Sequence, residues 1–365
     1  MEEVALPPPL PPEPPTPPPV VEPMRFTGSG GEYFRIWIVN LLLTVLTLGI
    51  YSAWAKVRRL KYFDRHTELA GARFDYHGAP IAILKGRVIA IALLIAYQHA
   101  FDVSVTVGLI TVALMAIVLP WLIRNSFRFR LHNTSYRGLR FAFKGGLSHA
   151  YYVFLVGALG SVFTLYAAMP FFHQRLKAYQ HGNAWYGATR FSFTATPGAF
   201  YRVYLVMMGL MMLFMFGMGV LIAVGVGLFA HPGATADGKP SKELALGITL
   251  GIVALYFALI LCIAPYLTAR LQNLVWNHTG LGPHRFVSTL SARRLFWIYL
   301  TNLLGAIVTL GLYAPWASVR LARYRVESVS LVALGSLDDV VAGAPEDVGA
   351  TGQEAAEFFD IDIAL

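Results

Sequence analysis

The sequence predicts an all-α polytopic membrane protein with a small cytoplasmic β-sheet of short strands, and three observations carry that prediction. Of 365 residues, 56% are hydrophobic and 13% charged, against about 25% charged in an average soluble domain. Seven apolar stretches, 33–54, 86–101, 104–123, 150–172, 201–229, 244–268 and 295–316, come near the roughly 20 residues that a membrane span requires. The stretch from Asn40 to Arg58, N-L-L-L-T-V-L-T-L-G-I-Y-S-A-W-A-K-V-R, returns from Asn302 to Arg320 as N-L-L-G-A-I-V-T-L-G-L-Y-A-P-W-A-S-V-R. An apolar helix, a break at Gly49 or Gly311, an aromatic girdle and a basic helix recur in both copies.

Charge divides the chain into three parts. All 29 Lys and Arg lie between residues 24 and 335, with only eight acids among them, a formal +21 for that region. Residues 1–23 hold 11 prolines and four acids, a composition for an extended, disordered tail. Proline-rich and acidic tails are also potential docking segments for a protein partner. Residues 336–365 are acidic and end F-F-D-I-D-I-A-L, where Phe359, Ile361 and Ile363 alternate with aspartates as a strand would. The membrane domain is therefore 24–335. Its basic residues flank apolar helices, as the positive-inside rule expects of cytoplasmic loops, so nucleic acid is not the expected partner and anionic lipid is.

Five apolar stretches end alike. Trp54, Pro120-Trp121, Pro170-Phe171, Pro265-Tyr266 and Pro315-Trp316 mark the break, and Arg58, Arg124, Arg175, Arg270 and Arg320 follow within about one helical turn. A polar turn comes next (His66-Thr67, Asn133-Thr134, Asn183, His278-Thr279), then Gly71, Gly138, Gly187 and Gly282. After each glycine lies a short aromatic piece: Phe74-Asp75-Tyr76, Phe141-Ala142-Phe143, Phe191-Ser192-Phe193 or Arg285-Phe286-Val287. Arg25-Phe26-Thr27 matches it at the start of the domain. The chain thus reads as about five units of membrane segment, basic amphipathic arm, turn and strand.

Such short strands are stable only when paired, which places all of them on one side of the membrane. The stretches 86–123 and 201–268 return as hairpins. The single stretches 33–54, 150–172 and 295–316 then fold back near Gly49, Gly157 to Gly160, and Gly311, giving four full spans and three re-entrant hairpins. The competing arrangement is seven simple spans.

With T-L-G-I-Y-S-A-W-A-K-V-R, T-L-G-L-Y-A-P-W-A-S-V-R and the G-Q-E-A-A-E-F-F-D-I-D-I ending in view, the chain resembles the YjgN-like family of bacterial inner-membrane proteins over residues 24–365. The resemblance implies a polytopic inner-membrane protein without an established biochemical activity. It carries over no site residues.

Chemistry-bearing patterns are sparse. The core acids, Glu32, Asp64, Glu68, Asp75, Asp102, Asp237, Glu243 and Glu327, fall in loops or at helix ends rather than mid-membrane, which weighs against proton- or ion-coupled transport. A single cysteine, Cys262, excludes a Cys-based zinc site, and His278 and His284 lack the spacing of a helical zinc pair. No metal, cofactor or catalytic constellation is expected, and the protein is read as a non-enzyme. Candidate sites are of two kinds. Lys56, Arg58, Arg59, Lys61, Arg124, Arg128, Arg130, Arg320, Arg323 and Arg325 are placed to meet anionic headgroups or the acidic C-terminus. Asn40 and Asn302 lie inside apolar helices, either bonding across a pseudo-symmetric interface or lining a polar pathway. The functional expectation is an inner-membrane interaction or lipid-associated protein with basic loops and C-terminus in the cytoplasm. The alternative is a transporter or channel for a small solute or lipid, since repeats and broken helices recur in transporters.

Overall fold

A computed structural model describes residues 18–229 and 242–335. Five units follow one another, each a pair of helices leading into a β-hairpin. Unit one is α1 (Gly30–Leu46), α2 (Ser52–Arg65), β3 (Thr67–Leu69) and β4 (Ala72–Tyr76). Unit two is α3 (Pro80–Val103), α4 (Val105–His132), β5 (Thr134–Tyr136) and β6 (Leu139–Phe143). Unit three begins with α5 (Leu147–Tyr151), a π-helical turn (Tyr152–Val156) and α6 (Gly157–Phe163). It continues with α7 (Met169–Gly182), β7 (Ala184–Tyr186) and β8 (Thr189–Phe193). Unit four is α8 (Pro197–Phe229), α9 (Lys242–Asn277), β9 (Thr279–Leu281) and β10 (His284–Ser288). Unit five is α10 (Ala292–Val308), α11 (Ala314–Glu327) and the single strand β11 (Val329–Ala333).

The fifth hairpin lacks its second strand, and the start of the chain supplies it. β1 (Val20–Pro23) and β2 (Arg25–Phe26) are one extended segment through Met24. Glu22 and Pro23 pair with Leu331 and Ser330 of β11, while Arg25 and Phe26 pair with Glu68 and Thr67 of β3. In each complete hairpin the second strand does the same, pairing first with its own partner and then with the next unit. Arg73 faces Glu68, for example, and Phe74 faces Tyr136. The eleven antiparallel strands, in the order β1-β11-β10-β9-β8-β7-β6-β5-β4-β3-β2, therefore close into a ring. Closure is how a sheet of such short strands satisfies its edges.

The pleat sends one residue of each first strand to the axis: Leu69, Tyr136, Tyr186, Leu281 and Leu331, all at most 6% exposed. They form one buried cluster with Phe286 and Val329, against which Phe74, Phe141 and Phe191 pack. The hairpin turns are the two-residue kind whose backbone matches strand twist. Ala70-Gly71 and Arg137-Gly138 have positive φ at both residues, and Gly187 and Gly282 at the first only.

The expected all-α architecture with a small sheet is thus corrected to a helical protein built on an 11-stranded, closed, barrel-like sheet. Sequence reading found only the second strands. The expected polar turns are the helix cap plus the first residue of another strand: His66 caps α2 and Thr67 opens β3. Val20–Pro23, assigned from the sequence to the proline-rich tail, form β1. The expected strand at 359–363 lies outside the described residues.

Among the described residues, four helices are long and apolar enough to cross a membrane: Pro80–Val103, Val105–His132, Pro197–Gly225 and Leu246–Asn277. The other three helix pairs turn back sooner, through one shared tip. Thr47, Thr164 and Thr309 each donate through Oγ1 to a carbonyl four residues back (2.7 Å) and accept the N–H four residues on (2.9–3.0 Å). The next two residues take positive φ: Leu48-Gly49, Leu165-Tyr166 and Leu310-Gly311. The third break therefore lies at Leu165-Tyr166 and not at Gly157 to Gly160, which are helical. There Tyr166 (φ 67°) occupies the position that glycine fills in the other two units.

Candidate functional site

Adjacent helices contact one another right around the molecule, including α1 with α11 where the ends of the chain meet. Inside this circle, above the strand ring, lies a cavity of about 980 Å³. It runs from Thr67 and Val329 on the ring to Asn40, Leu41 and Thr44 near the tip of α1. Among the described residues its wall carries Lys56, Arg59, Arg87, Arg130 and Arg325 with one acid, Asp64. The cations come from four helices because the inward face of each arm is set by where its strand begins.

Hydrogen bonds fix this wall. Arg325 donates from Nε to Gln272 Oε1 (2.8 Å), and Gln272 Nε2 returns a bond to the Arg325 carbonyl (3.0 Å) and one to Ser328 Oγ (3.1 Å). Burial lowers the Arg325 pKa. Behind the wall Lys177 is 9% exposed. Loss of water first, then repulsion from Arg130 and Arg325, brings its ammonium down to about 8. Three units thus direct cations at one another across the axis. Asp64 answers them weakly: burial raises its carboxyl to about 6, opposed by Arg130 and assisted by Asp75.

The sequence-selected cations separate into three groups. Lys56, Arg59, Arg130 and Arg325 line the cavity. Arg124, Arg320 and Arg323 brace the fold instead. Arg124 donates to Gly145 O (2.7 Å), Arg323 to Gly28 O (2.7 Å), and Arg320 to Thr301 Oγ1 (2.6 Å) and Asn302 Oδ1 (3.5 Å). Arg58 lies over the Tyr51 ring, and Arg128 and Lys61 are outside the cavity lining. The ten candidates for meeting headgroups or the acidic C-terminus therefore divide into four wall residues and six others, because a helix of basic residues has an inner and an outer face.

The asparagines part as well. Asn302 Nδ2 donates to Ala317 O (3.3 Å) on the returning helix of its own unit, which replaces the expected bond across the pseudo-symmetric interface. Asn40, its counterpart, is 7% exposed, lines the cavity and has an Oδ1 without a hydrogen-bond partner. Sequence reasoning missed Arg87, Lys177 and Gln272. Lys177 and Gln272 align with Leu60 on the arms, a position that the repeat spacing alone would have marked as inward.

The family model described as "Bacterial protein of unknown function (DUF898)" matches residues 21–358. The chain belongs to this family. Among its relatives, the Salmonella typhimurium protein named "Inner membrane protein YjgN" is 26% identical over 357 residues, covering 86% of this chain and 89% of the relative. The Escherichia coli protein of the same name is 31% identical over 135 residues, 35% and 32% of the two chains. No solved structure matches. The match to DUF898 starts at the closing strand and so takes in all five units of the ring.

Proposed function

We propose that this DUF898 member is a non-enzymatic, multi-pass inner-membrane protein that holds an anionic lipid headgroup in the axial cavity. The strand ring and basic arms lie on the cytoplasmic side. One observation carries the reading: among the described residues, five cations and one acid line a cavity of about 980 Å³ that reaches from the ring toward the apolar tip of α1. A phosphodiester needs charge-assisted donors, and acyl chains need the apolar walls above them. Arginine supplies the first and helix α1 the second. The relatives' names, which place them in the inner membrane, support the location, and the excess of basic residues supports the orientation.

Extraction of the full chain from membranes, followed by mass spectrometry of the retained lipid, tests this. Anionic glycerophospholipid should be enriched over its bulk fraction, and Arg59→Ala with Arg325→Ala should return the retained lipid to bulk composition. Bulk composition in the unaltered protein rejects the reading. A transporter of a small solute or lipid is the second reading, favoured by the unpartnered Asn40 Oδ1 on the cavity wall. It requires flux in vesicles that Asn40→Leu abolishes while folded yield is retained.

A further inference from the structure

The strand ring is not filled. Below the basic cavity its lumen holds a second, smaller cavity of about 290 Å³. Aromatic rings from four successive units stand around it. Phe74 and Phe141 lie 6.3 Å apart between centroids, Phe141 and Phe191 6.3 Å, and Phe191 and Phe286 6.4 Å. Tyr136 and Tyr186 of this wall spend their hydroxyls on backbone, Tyr136 on Leu69 O (2.7 Å) and Tyr186 on Tyr136 O (2.9 Å). What they present to the lumen is apolar.

The rim toward the arms differs. Arg130, Asp64, Gln180 and His181 meet there, and the two cavities share Arg130 and Asp64. His181 is 8% exposed, yet its Nε2 has no hydrogen-bond partner, and neither has the buried Oε1 of Gln180. Buried polar atoms left in this state are costly, and that cost is recovered when a ligand meets them. Loss of water, with a contribution from Lys177, lowers the His181 imidazole to about 3. The ring is therefore neutral at pH 7 and can give one N–H.

We propose that the lumen binds a medium-chain monocarboxylate, its hydrocarbon among the ring phenylalanines and its carboxylate at Arg130 and His181 Nε2. An aromatic chamber whose unpartnered polar atoms, on Gln180 and His181, stand on one rim matches a molecule that is apolar along its length and polar at one end. Arg130 and the neutral His181 imidazole supply donors for one anionic head at this rim, whereas Arg137, also in the lining, donates to Ala70 O (3.0 Å) and lies over the Tyr136 ring. The Asp64 carboxylate beside Arg130 offsets its charge and disfavours a second negative charge on the ligand. Gln180 serves through either end of its amide, since O and N exchange by a flip of the side chain.

The test uses the full chain in nanodiscs of zwitterionic lipid, titrated calorimetrically with octanoate, octan-1-ol and inorganic phosphate, with empty nanodiscs subtracted. Octanoate should bind saturably at one per chain. Octan-1-ol should bind at least tenfold more weakly, the factor expected for losing a charged hydrogen bond of about 1.4 kcal/mol or more. Leu281→Trp fills the lumen and should remove saturable binding. His181→Phe keeps the shape and should weaken octanoate about tenfold while leaving octan-1-ol unchanged. Absence of octanoate binding overturns the proposal, as do equal affinities for acid and alcohol, stronger binding of phosphate, or octanoate affinity unaltered by His181→Phe. That last variant decides the matter if Leu281→Trp does not fold. Retained phospholipid should be the same in His181→Phe as in the unaltered protein, which separates this site from the headgroup cavity above.

Discussion

The strand ring and the four long helices obey opposite rules. In the ring, Leu69, Tyr136, Tyr186, Leu281 and Leu331 are buried to 6% exposure or less by contacts from other units. In the most apolar stretches of α8 and α9 no residue is buried within the protein, and in α3 and α4 only 17% are. Met212, Leu213, Met215 and Phe216 of α8 stand 65–71% exposed. The ring is held by protein packed on protein. The long helices satisfy their backbone internally and leave their side chains to the surrounding apolar medium, as a spanning helix can. Fold specificity therefore resides in the shorter, less apolar part of each unit, and mutational cost should follow that division.

The largest effect should come from opening the ring. Deleting residues 18–26 removes the strand that joins β11 to β3 and exposes both edges. Folded, monodisperse protein should be lost, measured by size-exclusion chromatography in detergent. A circular permutant sharpens the point. Val20 and Ala333 are register partners, so a two-residue Asn-Gly turn joining β11 to β1, with new termini in 230–241, completes the fifth hairpin and should restore folding. Next, Leu331→Ala should destabilise by about 2–5 kcal/mol, the range for large-to-small changes at buried sites. Leu213→Ala on α8 should change stability by less than about 0.5 kcal/mol. Similar costs at both positions would erase the distinction between the two regions.

Reporter fusions after Gly145, Gly182 and Gly282 separate this architecture from seven simple spans. All three points sit beside ring strands and should report the same compartment, whereas seven spans place Gly145 opposite the other two.

Much of this was legible in the sequence, for reasons that are local. The repeat showed itself because the tip needs a threonine that back-bonds and a residue tolerating positive φ, and T-L-G states that chemistry in two units. In the third unit the same tip is T-L-Y, so the break was sought at Gly157 to Gly160 instead. The size of the sheet was hidden because T-E-L, T-S-Y and T-G-L are too short to show alternation, and each first strand reads as the tail of a helix cap. The closing strand was half legible: Arg25-Phe26 resembled its counterparts, but Glu22-Pro23 lay in a proline-rich context that reads as a tail. The axial cavity was not legible. Arg58 and Arg59 are neighbours in sequence, yet only Arg59 lines the wall, because helical phase is set by where the ring places the end of each arm.

A smaller effect tests the equivalence of the tips. Thr309→Val keeps the shape but removes the bonds to Gly305 O and from Tyr313 N–H. Two modest hydrogen bonds predict a loss of about 1–2 kcal/mol, read as a lower melting temperature, and Thr47→Val and Thr164→Val should match it. A tip that tolerates valine without loss is held by packing instead.

The smallest predicted effect is a dependence on pH. Asp64 titrates near 6 because burial disfavours its charge more than Arg130 favours it. A carboxyl raised in this way contributes stability below its ordinary range, and that contribution is lost as pH rises through 6. The same proton sets the charge of the cavity. At pH 5 Asp64 is neutral; at pH 7 it carries a charge that cancels one of the wall's cations. A unit charge about 10 Å from a headgroup, at an effective dielectric near 20, is worth about 1.7 kcal/mol. Binding of anionic lipid should accordingly weaken by up to about 18-fold from pH 5 to pH 7. Among the described residues the lining includes no histidine, so Asp64→Asn should flatten the profile at its low-pH value. A profile unchanged by that substitution would place the titrating group elsewhere and leave Asp64 a structural partner of the basic wall.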